Sequence, residues 1–213
     1  MLTVLSVLRS GGEFTPRHVA WLARQVEPAI GAPFVCLADV PVPTASRPLV
    51  HDWPGWWAKM EMFRPDLPGD ILYFDLDTVI CGRIDDLATV GGTTILRDLA
   101  QNTGLQSSVM YVTEADRARI WQAWIADPAG WMTRFAKRGD QAVLEQVIPD
   151  CQVWQDVRPG RFVSFRKHIR NKGLNDPPAG VGVVVFHGKP RPWKVWLQKG
   201  WPFFGRPKWI PPL

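Results

Sequence analysis

The segment Ile71-Leu72-Tyr73-Phe74-Asp75-Leu76-Asp77 does most to restrict what this chain can become. Successive side chains of an extended strand point to opposite sides, so four consecutive large apolar residues put hydrophobic surface on both faces. A strand of that kind is at home in a sheet covered on both sides by helices. It ends on two carboxylates two residues apart, which share a side for as long as the backbone stays extended. Two carboxylates that face one way repel each other unless something cationic lies between them.

The rest of the chain supplies elements for such a sheet. Leu2 to Leu8 reads as a strand, Ser10-Gly11-Gly12 as a loop, and Thr15-Pro16 as the cap and first turn of a helix through Val26. An apolar run from Pro33 to Ala38 follows, then a proline-rich loop from Asp39 to Pro54. From Gly55 to Phe63, Trp56, Lys59, Met60 and Phe63 have the spacing of one helical face, and Pro65 to Gly69 ends it. Strands are expected near Thr94 to Leu96 and Ser107 to Val112. A helix is expected from Glu114 to Ile125, capped by Thr113 and Asp116, with Trp121, Trp124 and Ile125 as its apolar face. A shorter helix spans Gly139 to Ile148, and Val181 to Phe186 has the β-branched composition of a central strand. Alternating strands and helices predict one α/β domain with a mostly parallel sheet flanked by helices, its ligands at the carboxyl ends of the strands.

The 213 residues suffice for one such core, and 46% hydrophobic with 21% charged residues is the balance of a folded globular chain. Nothing in the sequence approaches the length of a membrane-spanning helix, and the first eight residues lack the features of a secretory signal, so the expectation is a cytosolic protein. Cys36, Cys81 and Cys151 are odd in number and far apart, which predicts reduced packing residues. The formal charge of +5 suggests an anionic partner. Its basic residues concentrate in Arg161 to Lys172 and in a tryptophan- and proline-rich tail over 194–213. That tail is expected to pack on a domain spanning 1–193, because Pro202, Pro207, Pro211 and Pro212 oppose an amphipathic helix. A basic tail also leaves open a peripheral contact with the inner face of a membrane, or a nucleic-acid-binding module, although no nucleic-acid motif is present.

Hard oxygen ligands such as Asp75 and Asp77 suit Mg²⁺ or Mn²⁺, whose shell is usually completed by water and substrate phosphates. Aspartates after a strand also serve as plain turn caps. A sharper rival is the first motif of haloacid-dehalogenase-like phosphatases, in which Asp75 would be a covalent nucleophile and Asp77 a general acid. That reading leaves Gly55 to Phe63 and the closing segment near residue 190 unexplained.

Taken in order, several segments resemble the GT-A-fold glycosyltransferases, in particular the glycogenin-like and lipopolysaccharide-galactosyltransferase-like group. Gly55-Trp56-Trp57-Ala58-Lys59 is similar to the helix whose basic residue approaches the nucleotide sugar. Phe74-Asp75-Leu76-Asp77, with Gly82-Arg83-Ile84-Asp85-Asp86-Leu87 after it, is similar to the metal motif and its sequel. Gln106-Ser107-Ser108-Val109-Met110 resembles the strand lining the sugar pocket, and Gly139-Asp140-Gln141-Ala142-Val143-Leu144 the Asp-Gln segment of the reaction centre. Phe186-His187-Gly188-Lys189-Pro190-Arg191-Pro192-Trp193 resembles the closing motif. The likeness spans about residues 1 to 193.

The resemblance implies a transferase that uses a nucleotide sugar, commonly a UDP-sugar, and passes the sugar with retention to a hydroxyl of a glycan, lipid-linked saccharide or protein. It implies Mn²⁺ or Mg²⁺ held by Asp75, Asp77 and a histidine, donor contacts from Ser10, Gly11, Lys59, Asp75, Gln106, Ser107, Gly188 and Arg191, and a reaction centre at Asp140 and Gln141. Departures are visible as well. Anchored on Gly188, the family's metal-binding histidine falls at Val185; His187 is the available histidine, on the same face if the strand continues. Arg191 replaces the phosphate-binding lysine, Gln106 an asparagine and Ser108 a glycine.

Overall fold

The computed structural model describes residues 2–197 and 205–213. In chain order its main strands and helices begin with β1 (Leu2–Leu8), α1 (Pro16–Ile30), β2 (Phe34–Ala38), β3 (Ala45–Pro48), a 3₁₀ helix (Gly55–Phe63), β4 (Asp70–Phe74) and β5 (Val79–Ile80). There follow β6 (Thr94–Arg97), β7 (Leu105–Val112), α2 (Glu114–Ala126), α3 (Pro128–Arg134), α4 (Asp140–Val147), β8 (Gln152–Val153), α5 (Trp154–Val157), β9 (Phe162–Ser164) and β10 (Val183–Val185). A seven-stranded sheet runs β3-β2-β1-β4-β7-β6-β8. Its pairs are parallel except those that β7 makes with β4 and β6. A second sheet, β5-β10-β9, shares no ladder with it among the described residues but joins the same hydrophobic cluster.

The period of two in β4 decides the core. Leu72 and Phe74 enter a cluster with Val4, Leu22 and Val26. Ile71 and Tyr73 enter the other cluster with Leu5, Met60, Phe63 and Trp124. Each large apolar side chain buried in this way contributes about 1.5–3 kcal/mol against its exposure. With both faces of β4 committed, the residues beyond Phe74 are held in position by the whole sheet.

Four expectations change. The helix from Pro16 continues to Ile30, because Ala29 and Ile30 still bury apolar surface and the left-handed Gly31 ends it. Within the proline-rich loop, Ala45–Pro48 pairs with β2 as an exposed edge strand, where proline is tolerated. The buried face of α2 is Arg117, Ile120 and Trp124, with Ile125 exposed. Val183–Val185 is the central strand of the small sheet, not of the large one. The cap of α2 is as expected, Thr113 Oγ1 accepting from the Asp116 amide at 3.2 Å. Thr113→Ala should therefore cost about 1 kcal/mol, read as a lower urea midpoint with an unchanged slope.

All three cysteines are free thiols. Of the tail, Lys199, Trp201 and Pro202 lie outside the described residues. Its last residues lie along α1, with Ile210 fully buried and Trp21 Nε1 donating to the Pro211 carbonyl at 3.1 Å.

Candidate active site

At the carboxyl ends of β1 and β4 opens a cavity of about 840 Å³. Because β7 runs antiparallel to β4, its opening residues Gln106, Ser107 and Ser108 arrive at this same edge. The Ser10-to-Phe14 loop, Asp75 to Asp77, Gly139 to Gln141, Gly188 and Arg191 complete the wall.

The backbone does not stay extended beyond Phe74. The Thr78 amide donates to the Asp75 carbonyl at 3.0 Å, closing a turn, while the Asp75 amide is held by the Ser108 carbonyl at 2.8 Å. Both carboxylates still face the cavity, but a turn rather than strand alternation brings them there, and each meets its own cation. Asp75 accepts from the Tyr73 hydroxyl at 2.6 Å and pairs with Lys59 Nζ at 3.0 Å. Lys59 is buried, reaches Asp140 at 3.3 Å and donates to Ser107 Oγ at 3.1 Å. Burial opposes the charge on Lys59, but Asp140 and Asp75 outweigh it and hold the ammonium above its ordinary pKa. The same burial, reinforced by the Asp75 charge, pushes the Tyr73 phenol well above its usual value, so it serves as a hydrogen-bond donor.

On the other side Asp77 pairs with Arg191 Nη1, and Arg191 Nε donates to Glu13 at 3.0 Å. Burial, then the neighbouring Asp75, pushes the Asp77 carboxyl up to about 7, with Arg191 opposing. Glu13 also accepts from Lys189 at 2.7 Å. The segment carrying Arg191 is anchored by Trp193, which packs on His18 and Trp21 of α1 at ring distances of 4.2 and 5.6 Å. Arg166, from the basic run, donates to the carbonyls of His187 and Lys189 at 3.2 and 2.6 Å.

Ser10, Gly11, Lys59, Asp75, Asp77, Gln106, Ser107, Asp140, Gln141, Gly188 and Arg191 thus line one cavity. Ser10 spends its amide and hydroxyl on Asp39, at 2.8 and 2.7 Å. His187 is the exception and a correction to the expected ligand set. The strand stops at Val185, Phe186 stacks on Phe165, and Gly188 turns the chain at φ +66°. Strand alternation therefore does not carry His187 to the aspartates; its Nδ1 lies 2.7 Å from Gln106 Nε2. Among the described residues no group of three or more histidine, cysteine, aspartate or glutamate side chains is placed to hold a metal ion. Of the expected ligands Asp75 and Asp77 face the cavity, and two such carboxylates fit a hard cation completed by water and phosphate oxygens.

Tyr73, Glu13 and Trp56 belong to the site but were not assigned to it from the sequence. Tyr73 carries a signal, since it lies two residues before Asp75, near enough along the chain for its hydroxyl to reach that carboxylate. Glu13 carries none, because its partners are 176 and 178 residues away.

No family profile matches the chain, and no curated protein matches it. Solved structures do. The galactosyltransferase LgtC, in complex with donor and acceptor sugar analogs, superposes with a TM-score of 0.65 at 12% identity over 91% of this chain and 89% of LgtC. An active-site mutant of LgtC gives 0.66 at 12% identity, over 96% and 92%. The glycosyltransferase GlyE of Streptococcus pneumoniae TIGR4 gives 0.62 at 14% identity, and there the chain spans only 57% of the longer protein. The chain therefore has the α/β fold of these GT-A-like glycosyltransferases.

Proposed function

We propose that the chain is a glycosyltransferase that moves a sugar from a nucleotide sugar, a UDP-sugar, to the hydroxyl of a glycan, lipid-linked saccharide or protein, with retention. The observation that carries this reading is the convergence of Asp75, Asp77 and Asp140 with the cations Lys59 and Arg191 on one cavity, at the strand ends of this fold. That LgtC was solved with donor and acceptor sugar analogs supports a cavity that takes both.

In this reading the Ser10-Gly11 turn approaches the nucleotide. Gly188 leaves the backbone open to the diphosphate, and Arg191 and Lys59 stabilise the negative charge that develops on it as it leaves. Gln106 and Ser107 border the transferred sugar, with Asp140 and Gln141 at the reacting carbon. Mn²⁺ or Mg²⁺ would be held by Asp75 and Asp77, and when bound would neutralise the departing diphosphate. The transferase unit is residues 1–193, with 194–213 as a tail. No helix among the described residues is long and apolar enough to cross a membrane. A cytosolic enzyme touching a membrane peripherally accords with the basic tail.

The phosphatase reading is not favoured. It requires Asp75 as a free nucleophile, whereas Asp75 is tied to Lys59 and Tyr73, and the fold is that of glycosyltransferases.

Thermal unfolding with UDP tests the proposal. At about 100 times its dissociation constant, UDP with Mn²⁺ should stabilise the protein by about 2.7 kcal/mol, and Asp77→Asn should remove most of that shift. The absence of a shift with any nucleoside diphosphate, with or without metal, would count against the donor assignment.

A further inference from the structure

Trp56 is out of place for a structural residue. Its neighbour Trp57 is buried among the core aromatics, but Trp56 is 54% exposed, and it lines the cavity rather than the outer surface. Its indole is seated on the backbone of Gly139. That residue has φ +71°, and a Cβ added there would meet Trp56 Nε1 at 2.9 Å and Cδ1 at 3.1 Å. Glycine is thus required twice over, for the left-handed backbone and for the close approach of the ring. The residue after Gly139 is Asp140, which Lys59 ties to Asp75, so the platform stands beside the reaction centre. The Ser10 turn and Asp39 lie at the ends of β1 and β2, on the other side of β4 from β7 and Asp140.

The two residues before Gly139, Lys137 and Arg138, are on the same cavity wall. Arg138 is spent on Glu145, at 2.6 Å. Lys137 is exposed and has no ion-pair partner among the described residues. A rigid aromatic face supplies contact area for a flat apolar ring surface at low entropic cost, and an unpaired lysine beside it supplies a point charge for an anion.

We infer that this end of the cavity is the acceptor subsite, and that it takes a saccharide ring stacked on Trp56 whose anionic substituent, a phosphate or a carboxylate, is paired with Lys137. The inference rests on the transferase reading for the word acceptor, but the binding itself can be measured without donor, metal or turnover.

The experiment is ligand-observed saturation-transfer NMR on the full chain, with hexose 1-phosphates, hexose 6-phosphates, hexuronic acids and the matching neutral methyl glycosides as probes. An anionic saccharide should receive saturation on its ring protons and keep it when UDP is added. Trp56→Ala should weaken that binding by about tenfold or more, and Trp56→Phe should restore part of it, as expected for stacking. Lys137→Gln should cut the preference for anionic over neutral saccharides and leave the neutral ones unchanged. Comparing phosphates with uronates identifies which anion is recognised. The inference is overturned if no saccharide binds the parent protein, if UDP displaces the saccharide, or if Trp56→Ala binds it as tightly as the parent. UDP-induced thermal stabilisation of Trp56→Ala, measured alongside, should equal the parent's. A missing shift in both proteins would sink the donor reading while leaving the saccharide result to stand by itself.

Discussion

Replacing Lys59 by methionine is expected to lower the melting temperature by about 6–12 °C and to abolish the proposed sugar transfer. Methionine keeps an unbranched apolar stem of nearly the same length, so the loss reports chiefly the ammonium. Lys59 lies between Asp75 at 3.0 Å and Asp140 at 3.3 Å. Removing one member of a buried ion pair leaves an uncompensated charge, at a cost of about 3–5 kcal/mol. The lower end applies here because the Asp75 side chain is 27% exposed and water can answer part of its charge. The double variant Lys59→Met with Asp140→Asn should be less destabilised than the two single effects added, since the second change removes one of the orphaned carboxylates. Additivity within about 0.5 kcal/mol, from urea melts of all four proteins, would mean that the lysine and Asp140 are energetically independent and the site is not held as described.

The second large effect is expected at a residue outside the cavity. Glu61→Ala should destabilise the protein by about 4 kcal/mol, or about 8–16 °C in melting temperature. Glu61 is fully buried on the 3₁₀ helix that also carries Trp56 and Lys59. Its carboxylate accepts from the backbone amides of Val50 and His51 at 2.6 and 2.8 Å and from Arg64 Nη1 at 2.6 Å. Alanine strands the Val50 and His51 amides, and leaves Arg64 with the Pro48 carbonyl and Asp66. Glutamine retains an acceptor but not the charge, and should fall between the two. Because the segment so clamped leads into Pro54 and Gly55 of the cavity wall, limited proteolysis of Glu61→Ala should cut near residues 49–53 faster than in the parent. An alanine variant that melts within about 2 °C of the parent would falsify the clamp.

How much of this could be read before the fold was known differs from residue to residue. Trp56 and Trp57 are adjacent and chemically identical, and the helical spacing puts Trp56 on one face with Lys59, Met60 and Phe63. In the structure Trp57 packs on Trp124 with ring centroids 5.4 Å apart, and Trp56 faces the cavity. The segment is 3₁₀, whose three-residue turn shifts every side chain away from where an α-helical wheel would put it. His187 shows the same limit. Its parity with Val185 mattered only if the strand continued, and the turn at Gly188 is a property of the loop as a whole. The partnership of Glu13 with Lys189 and Arg191 had no local trace, because it joins the two ends of the chain.

What the sequence determined by itself are the features set by neighbouring residues. These are the two-faced burial of Ile71 to Phe74, the arrival of Asp75 and Asp77 at a strand end, the cap at Thr113, and the α/β alternation that puts a cavity at the carboxyl edge of the sheet. Side-chain period and capping act over a few residues, so they are written in order along the chain. Only the tertiary structure decided which charge meets which: Lys59 on Asp75 and Asp140, Arg191 on Asp77 and Glu13, and His187 on Gln106 instead of the carboxylates. Such pairings depend on distances of a few ångströms between segments up to 178 residues apart. Coulomb and hydrogen-bond energies are set by that spatial separation and by burial, to which sequence order is blind.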